Sequence, residues 1–302
     1  MSAGRVTENM LGRRLLSDLR ASTQRIATAQ RQIASGRRID KPSDDPLATH
    51  NALRLRSELA GIAQDRRTID DTKGWLDTTD SALATITDVV HRARELALQG
   101  ANGSIGQTER NKLADEVDQL IETAKSAGNT SYGGRYVFAG QDTDDPPYSP
   151  GAVDTYDGDA NGIARQIGPG VSVQINVPGD DILGNGGAEN PPKLLATLRT
   201  LAADLRSGNL PGLRGPALNN LESNLEDVTS ARGVVGALTT RLEAAQARLA
   251  QVEESTTALL SENEDTDIAK AMIDLTTQQS VYQAALQSGQ ALIQPSLLDF
   301  LR

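Results

Sequence analysis

The chain has no cysteine, few aromatic residues and only two histidines among its 302 residues. The absence of cysteine excludes disulfide bonds, thiol catalysis and cysteine-ligated metal. An aromatic content of 3% is low for a large globular core. Thin helical bundles of Leu, Ile, Val and Ala need little aromatic area, so the composition favours that architecture.

Long apolar runs are also missing. No window approaches the length of a membrane span, and residues 1–16 hold no apolar run of signal-peptide length. We therefore expect no membrane association. We also expect the protein either to stay in the cytoplasm or to leave the cell by a route that does not require a signal peptide. The net charge of −10 argues against a general affinity for nucleic acid.

Proline is scarce outside the middle of the chain. Nine of the twelve prolines lie between Pro146 and Pro216, and segments 1–41, 47–145 and 217–294 contain none. An interior proline costs a helix about 3 kcal/mol, so these segments are predicted to be helical. The predicted fold class is mainly α with a small β insert.

Local signals place the ends of the first helices. Gly36 is expected to end a helix of about residues 7–35, because glycine tolerates the left-handed cap conformation. Asp45 suits the N-cap of a second helix that starts at Pro46 and runs to about Gly100.

Further helices are predicted over about residues 108–127, after Pro192, after Pro216 and from Ile268.

The middle of the chain is predicted to contain strands. Residues 136–140 and 171–177 have strand-like composition and are bounded by turn residues. The segment 132–192 carries nine acidic and two basic side chains, which is typical of a solvent-facing insert.

Two heptad patterns mark the ends of the chain. Steps of four and three recur near both ends, which is the spacing of a coiled-coil seam. The N-terminal positions are Leu15, Leu19, Ser22, Ile26, Ala29 and Ile33. The C-terminal positions are Ile268, Met272, Leu275, Gln279, Tyr282, Leu286, Gly289 and Ile293. Residues 1–41 carry nine basic and three acidic side chains, whereas residues 251–302 carry two and eight, so we expect the ends to pair.

One short segment is similar to a calcium loop. Asp157, Asp159 and Asn161 copy its first half, but Gly168 stands where the closing Glu is needed. A β-turn between strands explains the segment better.

The histidines, His50 and His91, have no second ligand at metal-binding spacing. Acidic pairs such as Asp44 and Asp45 are better explained as helix caps and solvated loops. We predict no enzymatic activity, no cofactor and no metal site.

Four segments together resemble the terminal signatures of the bacterial flagellin superfamily. They are residues 35–46, 74–77, 267–272 and 282–286. Three features are most similar to the hook–filament junction branch of this superfamily. They are Tyr136–Gly140, the proline that ends the sequence Ser43–Pro46, and the residues near the C-terminus. The resemblance implies an elongated helical rod with a central β-rich domain, whose N- and C-terminal helices form a coiled coil.

The resemblance also implies a domain plan and a set of assembly residues. Residues 1–41 with 263–302 would form the terminal coiled coil, 42–131 with 193–262 the helical rod, and 132–192 the outer β-rich domain. The expected assembly positions are Leu15, Leu19, Ile26, Ile33, Ile268, Met272, Leu275, Tyr282, Leu286 and Ile293. The expected rod-domain loop signature is Pro42, Ser43, Asp44, Asp45 and Pro46.

The implied function is structural: to join the hook and its associated junction protein to the flagellin filament. Expected partners are that junction protein, flagellin, copies of the same chain, an export chaperone and the type III export apparatus. The expected location is outside the cell, in the flagellum. Two alternatives stay open, a flagellin filament subunit and a cytoplasmic coiled-coil adaptor.

Overall fold

A computed structural model describes residues 3–187 and 190–293. The helices are α1 (Ala3–Ser35), α2 (Pro46–Gly100), α3 (Gln107–Gly128), α4 (Leu194–Ser207), α5 (Leu210–Arg214), α6 (Pro216–Glu264) and α7 (Ile268–Ile293). The strands are β1 (Ser131–Tyr132), β2 (Arg135–Tyr136), β3 (Ala164–Gly168) and β4 (Val171–Gln174). Within these ranges β1 pairs with β2 and β3 with β4, both antiparallel. The prediction of a mainly helical fold with a small β insert is confirmed.

The chain forms two compact units. One is built from the described parts of Met1–Ala60 and Val252–Arg302, and the other from those of Gly61–Gln251. The first unit therefore combines segments from both ends of the sequence, while the second is continuous. The three-part domain plan given above stays a prediction.

The predicted boundary between α1 and α2 is confirmed. Gly36 has a φ of 70°, the left-handed conformation that ends a helix at little cost for glycine. Asp45 caps α2, because its Oδ1 accepts a hydrogen bond from the Ala48 amide at 3.0 Å. Pro46 is the first residue of α2.

The core of the second unit contains α3 packed on α4. One face of α4 is fully buried through Leu194, Leu195, Leu198, Leu201 and Leu205. Trp75 of α2 packs edge-on against Tyr132 of β1, with ring centroids 6.3 Å apart. The unit is thus filled chiefly by aliphatic side chains, as the composition predicted.

The predicted strand at residues 136–140 is wrong beyond Tyr136. Gly133 and Gly134 have φ values of 57° and 81° and turn the chain into a short hairpin, which ends at Tyr136. Val137, Phe138 and Ala139 are buried in the loop that follows. Their side chains pack inside the protein, although the Val137 amide still donates to the Thr130 carbonyl at 3.0 Å.

The predicted strand at 171–177 is shorter than expected. It ends at Gln174, although the Ile175 amide still donates to the Ile163 carbonyl at 3.0 Å. At Asn176 a side chain replaces the backbone as the hydrogen-bond acceptor, because Asn176 Oδ1 accepts from the Ile163 amide at 2.6 Å. Its partner strand β3 and the short helix α5 were not predicted.

A buried ammonium group fixes the loop between the two sheets. Lys125 of α3 is 2% exposed, and its Nζ lies 2.7 Å from Asp154 Oδ1. The same Nζ donates to the carbonyl oxygens of Ser149, Gly151 and Val153. Burial acts to raise the pKa of Asp154, but hydrogen bonds from Arg199 and Lys125 outweigh it and hold that pKa below its usual value.

Candidate assembly site at the paired terminal helices

The helices α1 and α7 pack against each other within the first unit. Their direction is antiparallel, because Leu15 near the start of α1 contacts Gly289 near the end of α7, while Arg37 forms a bridge with Asp265 at the opposite end. The prediction that the two terminal helices pair is confirmed for the described residues.

The seam on α1 follows the predicted heptad positions. The buried or half-buried residues include Leu15, Leu19, Ser22, Ile26, Ala29 and Ile33, and most of the residues between them are exposed. Alternating steps of four and three keep one stripe of a helix facing its partner. The sequence pattern therefore identified the correct face of α1.

The seam on α7 differs from the prediction. The buried and half-buried positions are Ala271, Leu275, Gln278, Tyr282, Ala285 and Gly289. Of the predicted heptad positions, Leu275, Tyr282 and Gly289 lie in this seam. By contrast, Ile268, Met272 and Leu286 are 49%, 53% and 42% exposed, and Gln279 is also exposed. The side chain of Ile293 lies outside the described residues.

The size of the seam residues explains the difference. The seam of α1 is formed largely by Leu and Ile, so its partner fits close against it when several of the facing positions are small. On α7 those small positions are Ala271, Ala285 and Gly289. Met272 and Leu286 each follow a small seam residue by one position, about 100° further around the helix axis, and remain outside the seam.

The two helices approach each other closely at Gly289. A Cβ added there would lie 2.7 Å from Leu15 Cδ2. Leu15 therefore occupies the space that a side chain at position 289 of α7 would need. Glycine permits this close approach of the two helices.

Polar atoms lie inside the seam. Ser22 Oγ and Gln278 Oε1 are buried and have no hydrogen-bond partner within the described structure. Buried polar groups without a partner disfavour the state that contains them. The α1–α7 pair is therefore held by a weaker seam than an all-apolar coiled coil would provide.

Five exposed apolar residues of α7 lie outside the seam, at different angles around the helix, and we call them together the α7 outer face. Its members are Ile268, Met272, Ile273, Val281 and Leu286. Single exposed apolar residues are ordinary, but several on one helix indicate an interaction surface. Packing with α1 leaves this apolar surface available to another protein.

The predicted rod-domain loop signature lies between α1 and α2. Pro42, Ser43 and Asp44 form a turn, in which Asp44 Oδ2 accepts from the Lys41 amide at 3.0 Å. Asp45 and Pro46 start α2 as described above. These contacts give the loop a defined local structure, and its role in assembly stays a prediction.

The segment that resembles a calcium loop is organised by its own hydrogen bonds. Asp159 Oδ1 accepts from the amides of Gln141 and Asn161, at 2.7 and 3.0 Å. The hydrogen bond from the Gln141 amide is the largest cause that lowers the pKa of Asp159. His50 and His91 are both exposed. Among the described residues, no three or more His, Cys, Asp or Glu side chains are arranged to hold a metal ion.

Within residues 3–187 and 190–293, no helix combines the length and the apolar character that a bilayer crossing needs.

Family models match both ends of this chain. Residues 6–143 match the bacterial flagellin N-terminal helical region, and residues 218–301 match the bacterial flagellin C-terminal helical region. Together the two matches cover most of the sequence, including α1 from residue 6 onward and the α7 outer face. The chain belongs to the flagellin superfamily. The family resemblance inferred from the sequence is confirmed.

Members of the flagellin superfamily with different roles are similar to this chain. The flagellar filament 31.3 kDa core protein of Treponema maltophilum is 25% identical over 264 residues, which are 84% of this chain and 83% of that protein. Flagellar hook-associated protein 3 of Escherichia coli is 32% identical over 154 residues, which are 50% of this chain and 48% of that protein. The second match thus spans about half of its relative.

Solved structures share the flagellin-superfamily fold. A protein described as flagellar hook-associated from Vibrio parahaemolyticus has a TM-score of 0.67 at 21% identity, covering 74% of this chain and 100% of that one. Flagellar hook-associated protein 3 of Legionella pneumophila has a TM-score of 0.61 at 15% identity, covering 69% and 97%. At these identities the likeness shows the fold alone.

Proposed function

We propose that this chain is a structural subunit of the bacterial flagellum that joins the hook and its associated junction protein to the flagellin filament. Membership of the flagellin superfamily supports a flagellar structural role, and relatives named flagellar hook-associated protein 3 support a place at the junction. The observation that carries the proposal is the α7 outer face, an exposed apolar surface on a terminal helix inside a region that the family model matches.

Assembly would use two kinds of surface on the terminal helices. The seam residues keep α1 and α7 together, and the α7 outer face contacts neighbouring subunits. Repeated head-to-tail contacts between unlike surfaces build an open helical lattice, which suits a tubular filament. The proposed assembly residues are those predicted above, with Ile268, Met272 and Leu286 assigned to the outer face.

The other parts of the proposal follow from this role. We infer the three-part plan of terminal coiled coil, helical rod and outer β-rich domain, and a structural rather than enzymatic activity. The inferred partners are the other junction protein, flagellin, copies of this chain, an export chaperone and the type III export apparatus. Export through that apparatus would place the protein outside the cell.

A gene deletion tests the junction role. Without a junction protein, cells are expected to keep their hooks and to release flagellin into the medium. Purified hook–basal preparations of the wild type should contain the protein. Its absence from those preparations, with normal filaments in the deletion strain, would refute the junction role.

A second candidate function is that of the filament subunit itself. The match to the Treponema maltophilum core protein favours it, because that match covers most of both chains. Deletion of a sole filament subunit would leave hooks that still carry junction proteins and cap, with no released flagellin. The composition of the medium therefore separates the two candidates.

A further inference from the structure

Two hinges connect the terminal helices to their neighbours in the first unit. The first hinge, residues 36–45, joins α1 to α2, and the second, residues 265–267, joins α6 to α7. The Arg38 amide donates to the Glu264 carbonyl at 2.7 Å, and the Thr266 amide donates to the Gly36 carbonyl at 2.9 Å. The two hinges are therefore hydrogen-bonded to each other as a short antiparallel bridge.

A buried carboxylate lies beside this bridge. Glu264 is the last residue of α6 and is 5% exposed. Burial disfavours its charge, and so does the negative end of the helix dipole. Two arginines offset this cost, since Arg37 Nε lies 3.0 Å from Glu264 Oε1 and Arg56 Nη2 binds the same oxygen.

The arginines come from different places. Arg37 belongs to the first hinge, whereas Arg56 belongs to α2. The Glu264 carboxylate thus ties the end of α6 both to the first hinge and to α2.

Further hydrogen bonds connect the same three parts. Arg38 Nη2 donates to the Asn263 carbonyl at 2.8 Å, and Asn263 Nδ2 donates to the Ala48 carbonyl at 2.8 Å. The neighbouring acid Asp267 serves its own helix, because its Oδ1 accepts from the Lys270 amide at 3.1 Å. Glu264 is distinguished from it by bonds that cross to the other hinge.

We propose that Glu264 is a positioning residue that couples the two hinges, so that α1 and α7 are held and released together. If one hinge opens, the buried carboxylate loses a partner and the bridge loses a hydrogen bond, which destabilises the other hinge. The coupling is a property of the free chain and does not depend on the flagellar role, so its test can fail while the proposed function stands.

Hydrogen exchange of the full-length chain tests the coupling. Peptides that cover residues 36–45 and 262–270 report the two hinges separately. Glu264→Gln removes the charge with little change of shape, and we expect exchange to increase about tenfold in both peptides, by similar factors. The matched control is Glu262→Gln, two residues earlier at an exposed position, which should leave both peptides unchanged. Faster exchange in one peptide alone, or in neither, would overturn the proposal.

Arg56→Gln provides an independent test from outside both hinges. It should increase exchange in both peptides, and the double variant with Glu264→Gln should be no faster than Glu264→Gln alone, because Glu264→Gln already removes the ion pair that Arg56→Gln breaks. Additive effects would show two independent contacts and contradict the coupling. Far-UV circular dichroism of each variant checks that the helices are retained.

Discussion

Polar substitution of the α7 outer face should weaken assembly while leaving the free chain folded. Met272 and Ile273 are 53% and 65% exposed, so they contribute little to the fold. Gln at both positions keeps a good helix former and removes the apolar surface. We expect the free energy of unfolding to change by less than about 0.5 kcal/mol.

The magnitude of the assembly defect follows from the buried area. Full burial of an Ile or Met side chain is favourable by about 1.5–3 kcal/mol. About half of each side chain remains to be covered, so the pair should contribute about 2–3 kcal/mol to each subunit contact. A difference of 1.4 kcal/mol is tenfold in affinity, so the association constant should fall by roughly 30- to 150-fold.

Polymerisation onto purified hook preparations, followed by light scattering, measures this change. Val153→Gln is the matched control, because it replaces a side chain that is 57% exposed in a loop of the second unit. The control should assemble like the wild type. If the double variant also assembles with an affinity within threefold of the wild type, the α7 outer face is not an assembly surface.

Three further predictions concern the fold. Gly289→Val should destabilise the α1–α7 pair by about 1–3 kcal/mol because of its contact with Leu15, and Leu15→Ala in the same chain should recover part of that loss in thermal unfolding. Lys125→Ala should cost about 2–4 kcal/mol in denaturant unfolding, since Arg199 remains the only cation bound to Asp154 and three carbonyls each lose a donor, whereas exposed Lys112→Ala should cost almost nothing. The pKa of Asp154 is lower in the folded protein than its ordinary value of 3.8, so its ion pairs stabilise the fold above that value. This stabilisation is lost as the pH falls through the lower folded pKa. Asp154→Asn should therefore weaken the loss of stability seen in acid, measured by unfolding at a series of pH values.

The helix boundaries could be predicted because their signals are local. Gly36 ends α1 through its own backbone conformation, and Asp45 with Pro46 starts α2 within one turn. No distant contact is needed for either effect. The same holds for the N-cap of α7, where Asp267 accepts from Lys270.

The α7 seam could be predicted only in part because α7 has two stripes with the same spacing. The two stripes share Leu275, Tyr282 and Gly289. They differ elsewhere, because the predicted stripe contains Met272 and Leu286 where the observed one contains Ala271 and Ala285. The choice between them depends on the shape of α1, which spacing alone does not contain. A search for small residues at heptad positions would have indicated the correct face.

Tertiary contacts decided the remaining features. Phe138 is a residue type that is common in strands, yet it is buried in a loop. Glu264 lies in a polar run before α7, and its arginine partners are more than two hundred positions away in the sequence. Such contacts leave no local pattern to read.

The discontinuous first unit imposes an order on events at the ribosome. The segment that forms α1 is synthesised well before α7, with the whole of the continuous second unit between them. At about 5–20 residues per second, roughly 12–45 s pass before the partner helix emerges. During that interval the nascent N-terminal segment lacks its partner helix, and its apolar seam can bind other proteins in the cell. Prior folding of the intervening unit would shorten the effective loop and lower the entropic cost of the final closure.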